Sequence, residues 1–141
     1  MQHAILWPMA AMAFLTLLVV MVMAGKRLPH LARSKTPPQA MAVRDARPAI
    51  PASVAAANDN LMNLFELPVL FYALCLAFAV TGLATDAIVA AAWVFVGLRA
   101  IHSIIHVTSN VVAQRFAAYL LSTLVLTGLW VIFAVRLANA A

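Results

Sequence analysis

The sequence predicts an all-α integral membrane protein, a four-helix bundle that fills a single domain over residues 1–141. Three observations carry that expectation. Hydrophobic residues make up 66% of the chain and charged ones 9%, against about half and about a quarter in soluble domains. Four apolar stretches each reach roughly the 20 residues that a helix needs to cross the hydrocarbon layer. Basic residues gather outside those stretches, chiefly between the first and the second. The abundance of Leu, Val, Ile and Phe excludes a disordered chain. With Cys75 as its only cysteine, the chain forms no internal disulfide and no cysteine-based metal cluster.

The first span covers residues 4–25 without a charge and ends at Lys26 and Arg27. At ~1.5 Å per residue it is about 33 Å long, enough to cross a bilayer core. A secretory signal would put positive charge before a shorter apolar run. Here the charge follows a long run, so the segment reads as a retained helix.

Residues 26–51 differ in kind. Lys26, Arg27, Arg33, Lys35, Arg44 and Arg47 stand among Pro29, Pro37, Pro38, Pro48 and Pro51, with Asp45 as the one acid. Such proline density predicts an irregular loop, with the second helix starting just after Pro51. No aromatic residue interleaves with these charges, so no nucleic-acid partner is expected. The positive-inside rule puts the loop in the cytoplasm and both termini on the other side.

The second helix is expected over residues 52–83, rising out of the aqueous phase and ending at Gly82; Asn63, Glu66 and Pro68 interrupt its apolar run. Thr85 as N-cap and Asp86 in the first turn open a third helix over 86–108, which carries Arg99, His102 and His106. Ser109 and Asn110 mark a short turn, and the fourth helix follows over 113–138, flanked within by Arg115 and Arg136. Short connections make the second and third helices antiparallel neighbours, and likewise the third and fourth.

An ionisable side chain near the middle of a span costs roughly 2.5–3.5 kcal/mol on insertion scales, so it faces the bundle interior and finds a partner. Measured from the cytoplasmic ends of their helices, Glu66 lies ~7 Å deep, His102 ~9 Å and Arg99 ~13 Å, which brings the three within reach of one another. Arg99, His102, His106 and Asn110 form one stripe of the third helix. Asn63 and Glu66, three apart, share a face of the second. Pro68 has no N–H for the carbonyl of Leu64, which opens backbone beside Glu66 to a ligand, a water or a side chain. Several readings stay open. Glu66 and Arg99 form a structural ion pair; or Glu66, His102 and His106 relay protons; or His102 and His106 act as i, i+4 metal ligands with Glu66, for which no further fixed ligand is present, so no metal is expected. Arg115 by itself reads as an interfacial anchor, and Cys75 as an inert filler.

The pattern Asn63-x-x-Glu66 with Pro68, then Arg99-x-x-His102-x-x-x-His106 and Arg115, resembles the MAPEG family, the membrane-associated proteins of eicosanoid and glutathione metabolism. The strings around Asn63–Pro68 and Arg99–His106 look most like its bacterial members, which implies a multi-pass protein of the bacterial inner membrane. The resemblance implies a homotrimer in the lipid bilayer, with glutathione as co-substrate between neighbouring subunits and a lipophilic small molecule entering from the bilayer. Its implied activity is that of a glutathione-dependent transferase or peroxidase acting on lipophilic electrophiles. Other members bind lipids or partner proteins without catalysis. Carried over to this chain, Asn63, Glu66, Arg99, His102 and His106 would bind glutathione, and Arg115 would be the catalytic arginine that stabilises the thiolate. A guanidinium suits carboxylates and thiolate alike. Asp59 stands where glutathione-using members usually carry an arginine, and His106 where a tyrosine is usual.

Overall fold

Four membrane-length helical spans pack side by side in the computed structural model, which describes residues 3–34, 37, 39 and 50–140. Most of the basic loop, including Lys35, Arg44 and Arg47, lies outside the described residues. No strand occurs among the described residues.

Helix α1 (Leu6–Ser34) does not stop at Gly25 as expected. It passes Lys26, Arg27 and Pro29, because a proline removes only the one hydrogen bond its N–H would have made to Gly25. Two contacts hold the extension. Lys26 Nζ donates to the carbonyl of Val107 at 3.0 Å, and the Ser34 hydroxyl turns back to the carbonyl of Leu31 at 3.2 Å.

The second span is not one helix over 52–83 but two pieces, α2 (Ala52–Asn63) and α3 (Leu67–Thr81). Pro68 sits in the first turn of α3, where its missing N–H costs nothing, so the ladder is interrupted ahead of it. Tight i to i+3 bonds bridge the break: Leu64 N to the Leu61 carbonyl at 3.1 Å, and Phe65 N to that of Met62 at 3.0 Å. Gly82 closes α3 with φ 69°, the left-handed conformation that glycine adopts without strain.

Helix α4 (Asp86–Val107) follows an extended Thr85, which makes no side-chain cap bond. Asn110, at φ 50°, turns the chain into α5 (Val112–Ala140), its N–H reaching the carbonyl of Ile105 at 2.7 Å. The pair α4 and α5 packs most extensively, while α1 lies against α2, α3 and α4.

The shared core is aromatic at mid-height. Phe71 stacks on Phe95 with ring centroids 4.4 Å apart, and Phe133 meets the edge of Phe78 at 5.0 Å. Met12, Leu74 and Ala92 fill the space around them. Large apolar side chains such as Phe14, Met21, Val80, Leu124 and Val131 point outward. Apolar outside and polar inside is the arrangement a lipid solvent demands. Arg99, His102, Ser103 and His106, buried polar side chains of α4, gather toward one end, where α2, α4 and α5 converge.

Candidate functional site

The polar stripe of α4 lies inward, as helical periodicity requires of charged residues in a span. Arg99, His102, Ser103 and His106 are all at most 2% exposed. Arg99 Nη2 donates to the backbone carbonyl of Asn63 at 2.8 Å. The break in the second span takes that carbonyl out of the i to i+4 ladder and leaves it a long bond from Glu66 N at 3.4 Å, one residue before the Leu64 carbonyl that the sequence pointed to. The guanidinium carbon of Arg99 also lies 5.6 Å from the ring centroid of Tyr119, a cation–π arrangement. Its Nε and Nη1 have no hydrogen-bond partner.

Glu66 does not take the place expected of it. It is exposed on the single chain and makes no hydrogen bond to Arg99. Helix α2 ends at Asn63, so the i, i+3 relation that would have set Asn63 and Glu66 on one face is broken, and Glu66 becomes the residue before α3.

His102 Nδ1 lies 3.0 Å from the carbonyl of Arg115. A carbonyl only accepts, so Nδ1 carries the hydrogen, and in the neutral ring Nε2 keeps its lone pair. That Nε2 is buried without a partner. The ring of His106 stands edge-on to that of His102 with centroids 5.5 Å apart, and its Nδ1 is unpartnered as well. Among the described residues no third His, Cys or carboxylate joins them.

Arg115 opens α5 half-buried, and its Nη1 donates to Asn110 Oδ1 at 2.7 Å. The left-handed turn at Asn110 aims the carboxamide back at the helix it precedes. Beside this pair lies an open groove of about 240 Å³, lined by Asn63, His102, Val112, Arg115, Phe116 and Tyr119. Among the described residues no acid lines it, so its field is set by the Arg115 guanidinium, with Arg99 behind Asn63 and Tyr119. Asn63 turns Nδ2 to the carbonyl of Asp59 at 3.0 Å, which leaves Oδ1 for the groove.

Of the six residues singled out in the sequence, Asn63, His102 and Arg115 therefore share the groove, and Arg99 braces it from behind. Glu66 lies outside, and His106 lines a different pocket. Two contributors were missed. Tyr119 is one turn along α5 from Arg115, and Asn60, fully buried with both ends of its amide unpartnered, is one turn back from Asn63. The spacings Arg115-x-x-x-Tyr119 and Asn60-x-x-Asn63 were the signals for them.

Residues 5–135, spanning all four helices and this polar end, match the MAPEG family. The chain belongs to that family. No curated protein and no solved structure gives a significant match. The MAPEG family includes glutathione transferases and peroxidases alongside other members. In this MAPEG protein the polar groups of three helices thus converge on one cationic, partly aromatic groove, open to the side of the single chain.

Proposed function

We propose that the protein is a membrane-bound glutathione-dependent transferase or peroxidase acting on lipophilic electrophiles, and that it works as a homotrimer. One observation carries this reading: the acid-free groove sets the Arg115 guanidinium, held by Asn110, beside a histidine whose free ring nitrogen is a hydrogen-bond acceptor. A cation next to a thiol favours the thiolate, which is the nucleophile. The thiol gives up its proton to water in the open groove, the thiolate beside Arg115 forms a bond to the electrophilic carbon, and the leaving group departs with its electron pair. Asn63 Oδ1 accepts from the tripeptide's amide or ammonium groups. Phe116 and Val112, both exposed, give the apolar wall along which a lipophilic substrate reaches the sulfur from the bilayer.

Two features support assembly. The groove is slightly smaller than the ~300–1,000 Å³ usual for small-molecule sites, so one chain supplies part of the wall for a tripeptide. Glu66 is exposed among Met62, Phe65, Val69 and Leu70, which are 46–59% exposed. A carboxylate facing lipid is unfavourable, and a neighbouring subunit that covers this face removes the penalty while bringing Glu66 toward the glutathione ammonium.

The test is direct titration of glutathione into the detergent-solubilised protein, following heat and the ultraviolet absorbance of the thiolate. Saturable binding with a thiolate signal is the expected result; no binding overturns the proposal. The second reading is a lipid- or partner-binding membrane protein without catalysis. Asp59 favours it: its backbone carbonyl holds Asn63 of the groove, and an acid at this position on α2 repels glutathione carboxylates.

A further inference from the structure

We propose that the pocket between the N-terminus of α2 and the C-terminal end of α4 is a second site, which binds a phosphate-bearing anion at the level of the lipid headgroups. The pocket measures about 170 Å³ and is lined by Ala52, Ser53, Ala56, His106, Val107, Thr108 and Asn110. At ~30 Å³ per water it has room for roughly five waters, or for one phosphate group. It shares no lining residue with the Arg115 groove, although Asn110, which accepts from Arg115, stands in its wall.

Polar groups at its wall lack partners among the described residues. Helix α2 has twelve residues and no side-chain cap. The first helical bonds at this end run from Val54 and Ala55 to the Pro51 carbonyl, so the N–H groups of Ala52 and Ser53 are left over among the described residues. Such an end carries about half a positive charge and donors already aimed at an anion. His106 lines the same pocket, 98% buried, with Nδ1 unpartnered. Two independent sets of unused polar groups therefore meet in one space.

The opposite pole is already satisfied. At the C-terminal end of α4 the carbonyl of Val107 takes Lys26 Nζ, that of Ile104 takes the backbone and hydroxyl of Thr108, and that of Ile105 takes the N–H of Asn110. Lys26 thereby holds its ammonium 3.0 Å from a carbonyl of the pocket lining. Asp59, the acid of α2, lies six residues along that helix from Ser53, about 9 Å away. The unanswered field in the pocket is positive.

Depth points to phosphate. Lys26 ends the uncharged part of α1, and α2 begins on the aqueous side of its span, so the pocket lies where lipid phosphates lie. A lipid headgroup and a free anion offer the same chemistry.

The full chain in dodecyl maltoside micelles distinguishes the two sources. One arm adds inorganic phosphate at constant ionic strength, and the other mixes in dioleoyl phosphatidylglycerol or, as the phosphate-free control, dioleoylglycerol; the readout is the thermal midpoint. The expected result is a saturable rise with phosphate or with phosphatidylglycerol, and none with dioleoylglycerol. A rise in both arms assigns the site to the phosphate group itself; a rise only with phosphatidylglycerol assigns it to the lipid. Ser53→Asp puts a built-in carboxylate at the exposed end of α2 and should abolish the response while keeping or raising the starting midpoint. Lys26→Gln should weaken the response about tenfold. The proposal is overturned if neither probe shifts the midpoint, or if Ser53→Asp responds like wild type.

Discussion

Arg99 Nη2 meets the backbone carbonyl of Asn63 at 2.8 Å, so the most deeply buried cation of the bundle is held by main chain and by the face of Tyr119, not by a carboxylate. A side-chain acid at that place would neutralise the guanidinium. A carbonyl leaves its charge available, which keeps the polar end of the bundle attractive to anions.

The first prediction follows from that bond. Arg99→Ala leaves a cavity among α2, α4 and α5 and should cost about 2–4 kcal/mol, read as a lower denaturation midpoint in detergent. Arg99→Met keeps the volume and removes a buried, under-partnered charge, so its stability should stay within about 1 kcal/mol of wild type or rise. Both variants should lose glutathione affinity. A large destabilisation by Met would show that the charge itself holds the fold.

Arg115→Ala should leave folding almost untouched, because the side chain is half-buried at a helix start and its bonded partner is the turn residue Asn110. The thiolate signal of bound glutathione should vanish and the conjugation rate should drop by a factor on the order of 100, the usual loss when one stabiliser of developing charge is removed. An unchanged rate would move the chemistry away from Arg115.

For Asp59→Arg we expect tighter glutathione binding. The α2 backbone at Asp59 is tied to Asn63 Nδ2, so a cation there adds a second positive group near the groove. Calorimetric affinity equal to or weaker than wild type would show that this position does not face the ligand.

Assembly is checked through Glu66. Native mass measurement in mild detergent should return a trimer, and Phe65→Cys should cross-link between chains, since this exposed face is the one a neighbour must cover. Monomer alone, with helicity intact, would refute it.

Topology has its own test. In a Cys75→Ala background, single cysteines at Ser34 and Asn139, both exposed, should react with impermeant reagents from opposite sides of the membrane. Same-sided labelling would contradict the three spans that separate Ser34 from Asn139, and with them the four-span order.

Most of the architecture was legible because a membrane imposes a simple code. Long apolar runs marked the spans, and Gly82, Thr85 and Asn110 marked the turns. The end of α1 was not legible: Lys26 and Pro29 look like terminators, yet Lys26 finds its acceptor on α4, far along the chain. The break after Asn63 was half legible. Pro68 announced a freed carbonyl, but which one is freed depends on where the tight turn starts, and that is settled by packing of Leu64 into the core. The same displacement undid the Glu66–Arg99 pairing, since a face-sharing argument holds only within an unbroken helix. His102 in the groove and His106 in the other pocket could not be separated from spacing alone, because i and i+4 share a helical face while the third dimension divides it.

The interruption between Asn63 and Leu67 gives the second span a joint. Its lower arm, α2, is packed on α1 and α4, and its upper arm, α3, is anchored among phenylalanines. The Asn63 carbonyl that holds Arg99 and the Ala52–Ser53 end that borders the other pocket therefore belong to the same short rod below the joint, so the two polar pockets share one helix as a wall.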